Sequence, residues 1–469
     1  MAREQDLPRK LLRGQVPEAV ELEPRRRAVS RCGATRRRGV TGSARQLHEL
    51  PRLLDGPDLS APTSGGGCAI TADAMATSES TEILDAGSEV KRGAERSVSP
   101  VELLWDLVFV FAITQVGTLL SRELTWQGFG RSMLVLAFVW WAWSAFVWVA
   151  NAEDAESPVF LLTLLAALVL IFISGLAIPH AFGERATLFA LTYAGVRFMH
   201  LGLYAHSARQ GHASWEAIAG FSLTVTVGMI LLVAGSLLAL SWQIALWAIA
   251  AVIDYAGPLL TRRRLRGLQA VAVAHIADRY GAFIIICLGE SMGAIGLSAT
   301  GEPVTTVLVA TVALGLLITI GLWWTYFGRT AGAAAARLRD HVEPVIAASD
   351  AYAYIHVALV AGIIIFATGM RHACLNVDSP LAASARLAIS GGLALYLVGH
   401  LAFAARLLGG VRYEKLAAAA ALLVIYGIGD GWQAWVVLAC DAAVIALLCA
   451  WETIADTPRR VVAGSTGRA

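Results

Sequence analysis

Hydrophobic positions between residues 98 and 452 come in unbroken runs of helix length, each closed by a short polar stretch. Apolar runs of about 17–25 residues cross a hydrocarbon core as helices, and the need to satisfy every backbone group leaves a closed barrel as the only other spanning form. The pattern predicts twelve spans, at roughly 101–120, 132–150, 158–178, 186–206, 215–239, 242–260, 275–298, 304–327, 351–370, 386–407, 416–429 and 432–451. The eleventh is the shortest. The fold class expected is an all-α polytopic membrane protein.

Residues 1–97 follow another pattern. They are Arg-rich and poor in apolar runs, with a G-G-G-C stretch at 65–68, and read as disordered. They lack the apolar core of a signal peptide. A lipid-contacting basic tail, through arginines at 25–27 and 36–38, and an alternative start at Met75 are both open readings.

Composition agrees with the spans and narrows the function classes. The chain is 57% hydrophobic and only 15% charged; its net charge of +2 says little about partners, since the distribution of Lys and Arg matters more than the sum, and nucleic-acid binding has no support. Six cysteines show no C-x-x-C spacing, so neither a disulfide framework nor a metal site is expected. No nucleophile elbow, P-loop, H-E-x-x-H or dinucleotide fingerprint stands in a suitable context, so no enzyme activity and no cofactor are expected.

Basic residues orient the spans. Lys91, Arg92 and Arg96 precede the first, and Arg262, Arg263, Arg264 and Arg266 follow the sixth. Arg209, Arg329, Arg337, Arg339, Arg412, Lys415, Arg459 and Arg460 fall on the same side, which predicts both termini in the cytoplasm. The acidic 151–156 loop lies on that side too, but acids weigh little in this rule.

The two halves echo each other. D-R-Y-G-A-F-I-I-I-C-L-G-E-S at 278–291 aligns without gaps to 102–115, placing Glu290 opposite Thr114. Trp140 and Trp141 answer Trp323 and Trp324, the F-I-S-G run at 172–175 answers F-A-T-G at 366–369, Tyr193 with Arg197 answers Tyr396 with His400, and Trp242 with Gln243 answers Trp432 with Gln433. Five echoes in one order predict an internal duplication. The organisation expected is a 98–261 repeat, a 262–274 basic linker, a 275–452 repeat and a 453–469 cytoplasmic tail. Six spans per repeat make the two parallel, with sites at their interface.

Ionisable groups inside spans are costly and mark candidate sites. Glu102 and Asp106 share one stripe of the first helix with Phe109 and Ile113. Both stand near a positive helix end, so capping competes with function as their explanation. His275, Asp278 and Arg279 open the seventh helix and read as a locally paired anchor. Glu290 lies about 17 Å beyond Arg279 at 1.5 Å per residue. Gly289 and Gly293 beside it predict close approach of another helix, and Glu290 is the leading candidate for proton or cation handling. Arg197 needs a buried partner, either Asp106 or Asp254. His400 and Asp441 complete the candidates, while the tryptophans of the second and eighth spans read as core or interfacial belt.

The runs at 102–115 and 278–291, W-W-A-W at 140–143 and L-Y-L-V-G-H at 395–400 resemble the bacterial low temperature requirement A (LtrA) family over about residues 98–451. In the family the first motif usually reads E-L-F-F-D; here Leu104 and Trp105 replace the phenylalanines and both acids remain. The second usually begins E-R, and Asp278 keeps the charge. The resemblance implies a multi-pass protein of the bacterial inner membrane without supplying a substrate. The opening motif and the six-plus-six plan are also similar to potassium channels with two six-helix repeats.

Three functions are therefore carried forward: a secondary transporter or ion-coupled permease, with Asp106 and Glu290 as coupling carboxylates at the repeat interface and Arg197 as counter-charge or anion contact, an oligomeric cation channel, and a non-transporting membrane protein of cold growth or stress. Expected partners are the lipid bilayer, a small solute or ion of unidentified class and, for the channel, further copies of the chain.

Overall fold

The computed structural model describes residues 99–152, 157–211, 215–261, 273–377 and 379–465. The N-terminal segment, most of the acidic 151–156 loop and nearly all of the basic linker lie outside the described residues.

Among the described residues, a helix follows each of the twelve apolar runs. They are α1 (Pro100–Arg122), α2 (Trp126–Ala152), α3 (Pro158–Ala177, closed by a 3₁₀ turn), α4 (Ala186–Arg209), α5 (Trp215–Gly235) and α6 (Leu240–Leu260). The second set is α7 (Val273–Ala299), α8 (Thr306–Arg339), α9 (Pro344–Leu375), α10 (Ala383–Leu408), α11 (Tyr413–Ile428) and α12 (Ala434–Ser465). Among the described residues, ten are long and apolar enough to cross a membrane. The others are α11, with 16 residues, and α4, whose hydropathy is lowered by Arg197 and His200. One isolated bridge, Pro380 to Gln433, is the sole β-type pairing among the described residues.

Local chemistry sets the helix starts. Ser99, Pro100 and Glu102 form a capping box with proline at the first turn: the Ser99 N–H donates to Glu102 Oε2 at 2.8 Å, and the Glu102 N–H returns to Ser99 Oγ. This fixes the α1 register, so that Glu102, Asp106, Phe109 and Ile113 are all buried along one stripe.

Helices α2, α9 and α10 form the centre: 72%, 72% and 67% of their spanning windows are buried, against 33–39% for the other seven spans. Leucines and valines on outer faces, such as Leu162, Val169, Leu223, Val252 and Leu447, stay exposed, as a lipid-facing surface requires. Trp140, Trp141 and Trp143 belong to the core, whereas Trp323 and Trp324 are exposed in the manner of a belt.

Neighbour relations recur between the sets. In the first, α1 packs on α2 and α3, α4 on α3 and α5, and α6 on α5 and α2. In the second, α7 packs on α8 and α9, α10 on α9 and α11, and α12 on α11 and α8.

Close approach is set by glycines other than those expected. A Cβ at Gly362 would meet the Tyr396 nitrogen at 2.6 Å and the Gly392 oxygen at 2.7 Å, so α9 and α10 touch backbone to backbone. Gly289 and Gly293 have nothing within 4 Å of that position, and Gly289 is exposed. The G-x-x-x-G spacing in α7 therefore faces away from any helix.

Three π turns interrupt the second set, at Tyr326–Thr330, Ser349–Ile355 and Leu387–Gly391. A π turn releases backbone carbonyls from the helical ladder. In α9 two of these find side-chain partners: Ala353 O accepts from Trp140 Nε1 at 2.7 Å, and Ala351 O lies 2.9 Å from His356 Nδ1.

Candidate functional site

The starts of α1 and α7 lie together at what we term the proximal end of the bundle. His275 Nε2 is 3.3 Å from Glu102 Oε1, and Arg279 Nη2 donates to Asp106 Oδ1 at 2.7 Å. Trp143 Nε1 from α2 donates to the same oxygen at 2.8 Å. All five residues are buried. His275 and Arg279 thus answer the α1 acids across the interface instead of pairing within their own turn, because the i, i+4 spacing on each helix brings two rungs into register. Asp278, between them, is exposed. Helix register could have revealed this ladder, since both pairs are spaced by four.

Arg197 on α4 pairs with Asp254 on α6, Nη2 to Oδ1 at 2.6 Å; of its two expected partners Asp254 is the one it meets. The pair lines a cavity of about 80 Å³ among α2, α4, α5, α6 and α9. About 10–15 Å³ of such space holds one water, so this chamber takes several waters or a small solute. Its wall includes Ser144, His200 and the rings of Trp141, Trp148, Tyr204 and Phe221. Contact is through that one pair of atoms, leaving Arg197 Nε and Nη1 and Asp254 Oδ2 without a hydrogen-bond partner, as is His200 Nδ1. Arg197, Asp254 and His200 are 2%, 1% and 4% exposed, so these groups are cut off from bulk solvent. Sequence reasoning missed His200, although its position three residues after Arg197 places both on one face. Pro258, which removes a backbone donor inside α6, also lines the chamber.

Glu290 occupies a different place. It lines a cavity of about 30 Å³ between α1, α7 and α9, with Thr114, Ser291, Thr368 and Arg371. Thr114 and Arg371 are polar neighbours of Glu290 in this cavity, the Thr114 hydroxyl donating to Val110 O at 2.9 Å and Arg371 supplying the nearby positive charge. Thr114 and Glu290 are the two positions matched by the sequence echo, so helix-equivalent residues face each other here.

The remaining candidates are dispersed. Ser390 donates to Asp441 at 2.9 Å, linking α10 to α12. His400 is buried against Tyr326 and Tyr396. Lys415, expected among the loop cations, is buried and ion-paired with Glu452 of α12. Asp106, Glu290 and Arg197 therefore belong to three separate clusters.

Comparison with known proteins bears on the whole chain. The profile described as bacterial low temperature requirement A protein (LtrA) matches residues 97–450. The chain belongs to this family. It is 28% identical over 305 residues to an uncharacterized protein of Rhizobium meliloti (strain 1021), covering 64% of this chain and 75% of that one. No solved structure matches. The LtrA match spans α1 to nearly all of α12's apolar part, so the α1–α7 clasp formed by Glu102, Asp106, His275 and Arg279, the chamber and Glu290 all lie within the family's region. Neither name denotes an enzyme.

Proposed function

We propose that this LtrA protein is a secondary transporter or ion-coupled permease of the bacterial inner membrane, with its solute in the Arg197–Asp254 chamber and Glu290 as the coupling carboxylate. The observation that carries the reading is the chamber: a buried, polar, single-contact ion pair beside unfilled space inside a helical bundle. Intramembrane charges of this kind line solute or ion pathways. Glu290 supports coupling because it stands beside its own small cavity, with a cation at hand and contact to α1 and α9. Asp106 is held by two donors and serves as a bundle lock in this scheme.

The recurring neighbour relations of α1–α6 and α7–α12 support two parallel six-helix repeats. The distribution of Lys and Arg supports cytoplasmic termini.

Flux through proteoliposomes tests the proposal. Uptake driven by a pH gradient is expected, and Glu290→Gln should abolish the gradient dependence while leaving insertion intact. Cation conductance without a coupled solute would instead favour an oligomeric channel. No flux across a broad solute panel would leave a non-transporting membrane protein.

A further inference from the structure

The chamber's own chemistry narrows its occupant, given the reading that it is the solute site. Arg197 and Asp254 offer a guanidinium with two unused nitrogens and a carboxylate with one unused oxygen, side by side and nine-tenths or more buried. A carboxylate ligand alone would meet Arg197 but sit against Asp254, and a cation alone would meet Asp254 but sit against Arg197. In a low-dielectric cavity that like-charge approach is strongly unfavourable. A molecule bearing both charges gives each group an opposite partner and leaves the chamber's total charge at zero.

We propose that the Arg197–Asp254 chamber binds a small zwitterion, its carboxylate turned to the Arg197 guanidinium and its ammonium to the Asp254 carboxylate. With Nη2 held by Asp254, the remaining Arg197 N–H groups point to different sides of the guanidinium, so the carboxylate takes a single charge-assisted hydrogen bond there. The rings of Trp141, Trp148, Tyr204 and Phe221 furnish the apolar wall for the carbons between the charges, and aromatic faces also attract ammonium groups. Space for several waters is enough for a compact molecule of the amino-acid or betaine size class. His200 Nδ1 remains as a further polar contact on the same wall.

Thermal unfolding of the purified full chain in detergent tests this directly, since a ligand that binds only the native state raises the midpoint. Glycine, β-alanine and glycine betaine form the probe set, with acetate and methylammonium at matched ionic strength as single-charge controls. A saturable rise with at least one zwitterion and none with either control is expected. Arg197→Gln should weaken the response about tenfold or more, the loss of a charge-assisted hydrogen bond. Because that variant leaves Asp254 unpaired, the neutral Arg197→Gln/Asp254→Asn protein is the second test: it should fold and give no zwitterion response. The proposal falls if no zwitterion stabilises the protein, the result for a chamber holding water only, or if acetate or methylammonium alone is as effective. Zwitterion binding without any flux would overturn the transport reading and keep this one. Gradient-driven uptake of another solute without zwitterion binding would do the reverse.

Discussion

Asp106 shows how a carboxylate is tolerated at full burial. Arg279 of α7 and Trp143 of α2 both donate to Oδ1, while Oδ2 has no hydrogen-bond partner. The charge is thus compensated mainly by one guanidinium. Removing it strands Arg279 in the core, which for a buried pair costs about 3–5 kcal/mol. Asp106→Asn should therefore lower the unfolding midpoint sharply, although its shape and the Trp143 bond survive. Adding Arg279→Gln should restore most of the loss, because no unpaired charge then remains; thermal unfolding of the two variants side by side gives the comparison. If the single substitution proves harmless, the pair does not hold the bundle.

Among elements, the contact between α9 and α10 is a glycine contact that brings backbone against backbone. A side chain at Gly362 would collide with backbone atoms of Tyr396 and Gly392, which cannot rotate away. Gly362→Leu should force the helices apart and cost at least the roughly 1–3 kcal/mol typical of overpacking, read as reduced yield and a lower midpoint. Gly289→Ala meets open space and should leave both unchanged. The contrast explains what was legible in the sequence. Helix existence and length depend on a run of residues and on bilayer thickness alone, so each of the twelve apolar runs returned as a helix. Which helix faces which depends on rotation about each axis, and a glycine spacing carries no information about the partner. For the same reason the Arg197–Asp254 pair was open to two solutions, and the His275 and Arg279 partners on α1 were missed. The capping box at Ser99 was readable, since its S-x-x-E spacing is local.

For the whole molecule, the charge distribution makes a topological prediction. Arg264 belongs to the basic linker and Gly183 to the short connection after α3, on the opposite face in the positive-inside arrangement. In a background with the native cysteines replaced, Gly183→Cys should react with an impermeant thiol reagent in intact cells. Arg264→Cys should react only after permeabilisation. The opposite pattern would invert the orientation and place the clasp and the proximal end of the chamber helices outside the cell.

The clasp between α1 and α7 also bears on how the chain is made. Asp106 and Arg279 are 173 residues apart, as are Glu102 and His275. At about 5–20 residues per second of synthesis, the acids of α1 enter the membrane roughly 10–35 s before their basic partners exist. Trp143 is only 37 residues away from Asp106, and Ser99 precedes Glu102 by three. Those two neutral donors are thus the early companions of the acids, protecting a nascent hairpin of α1 and α2 until the seventh helix arrives.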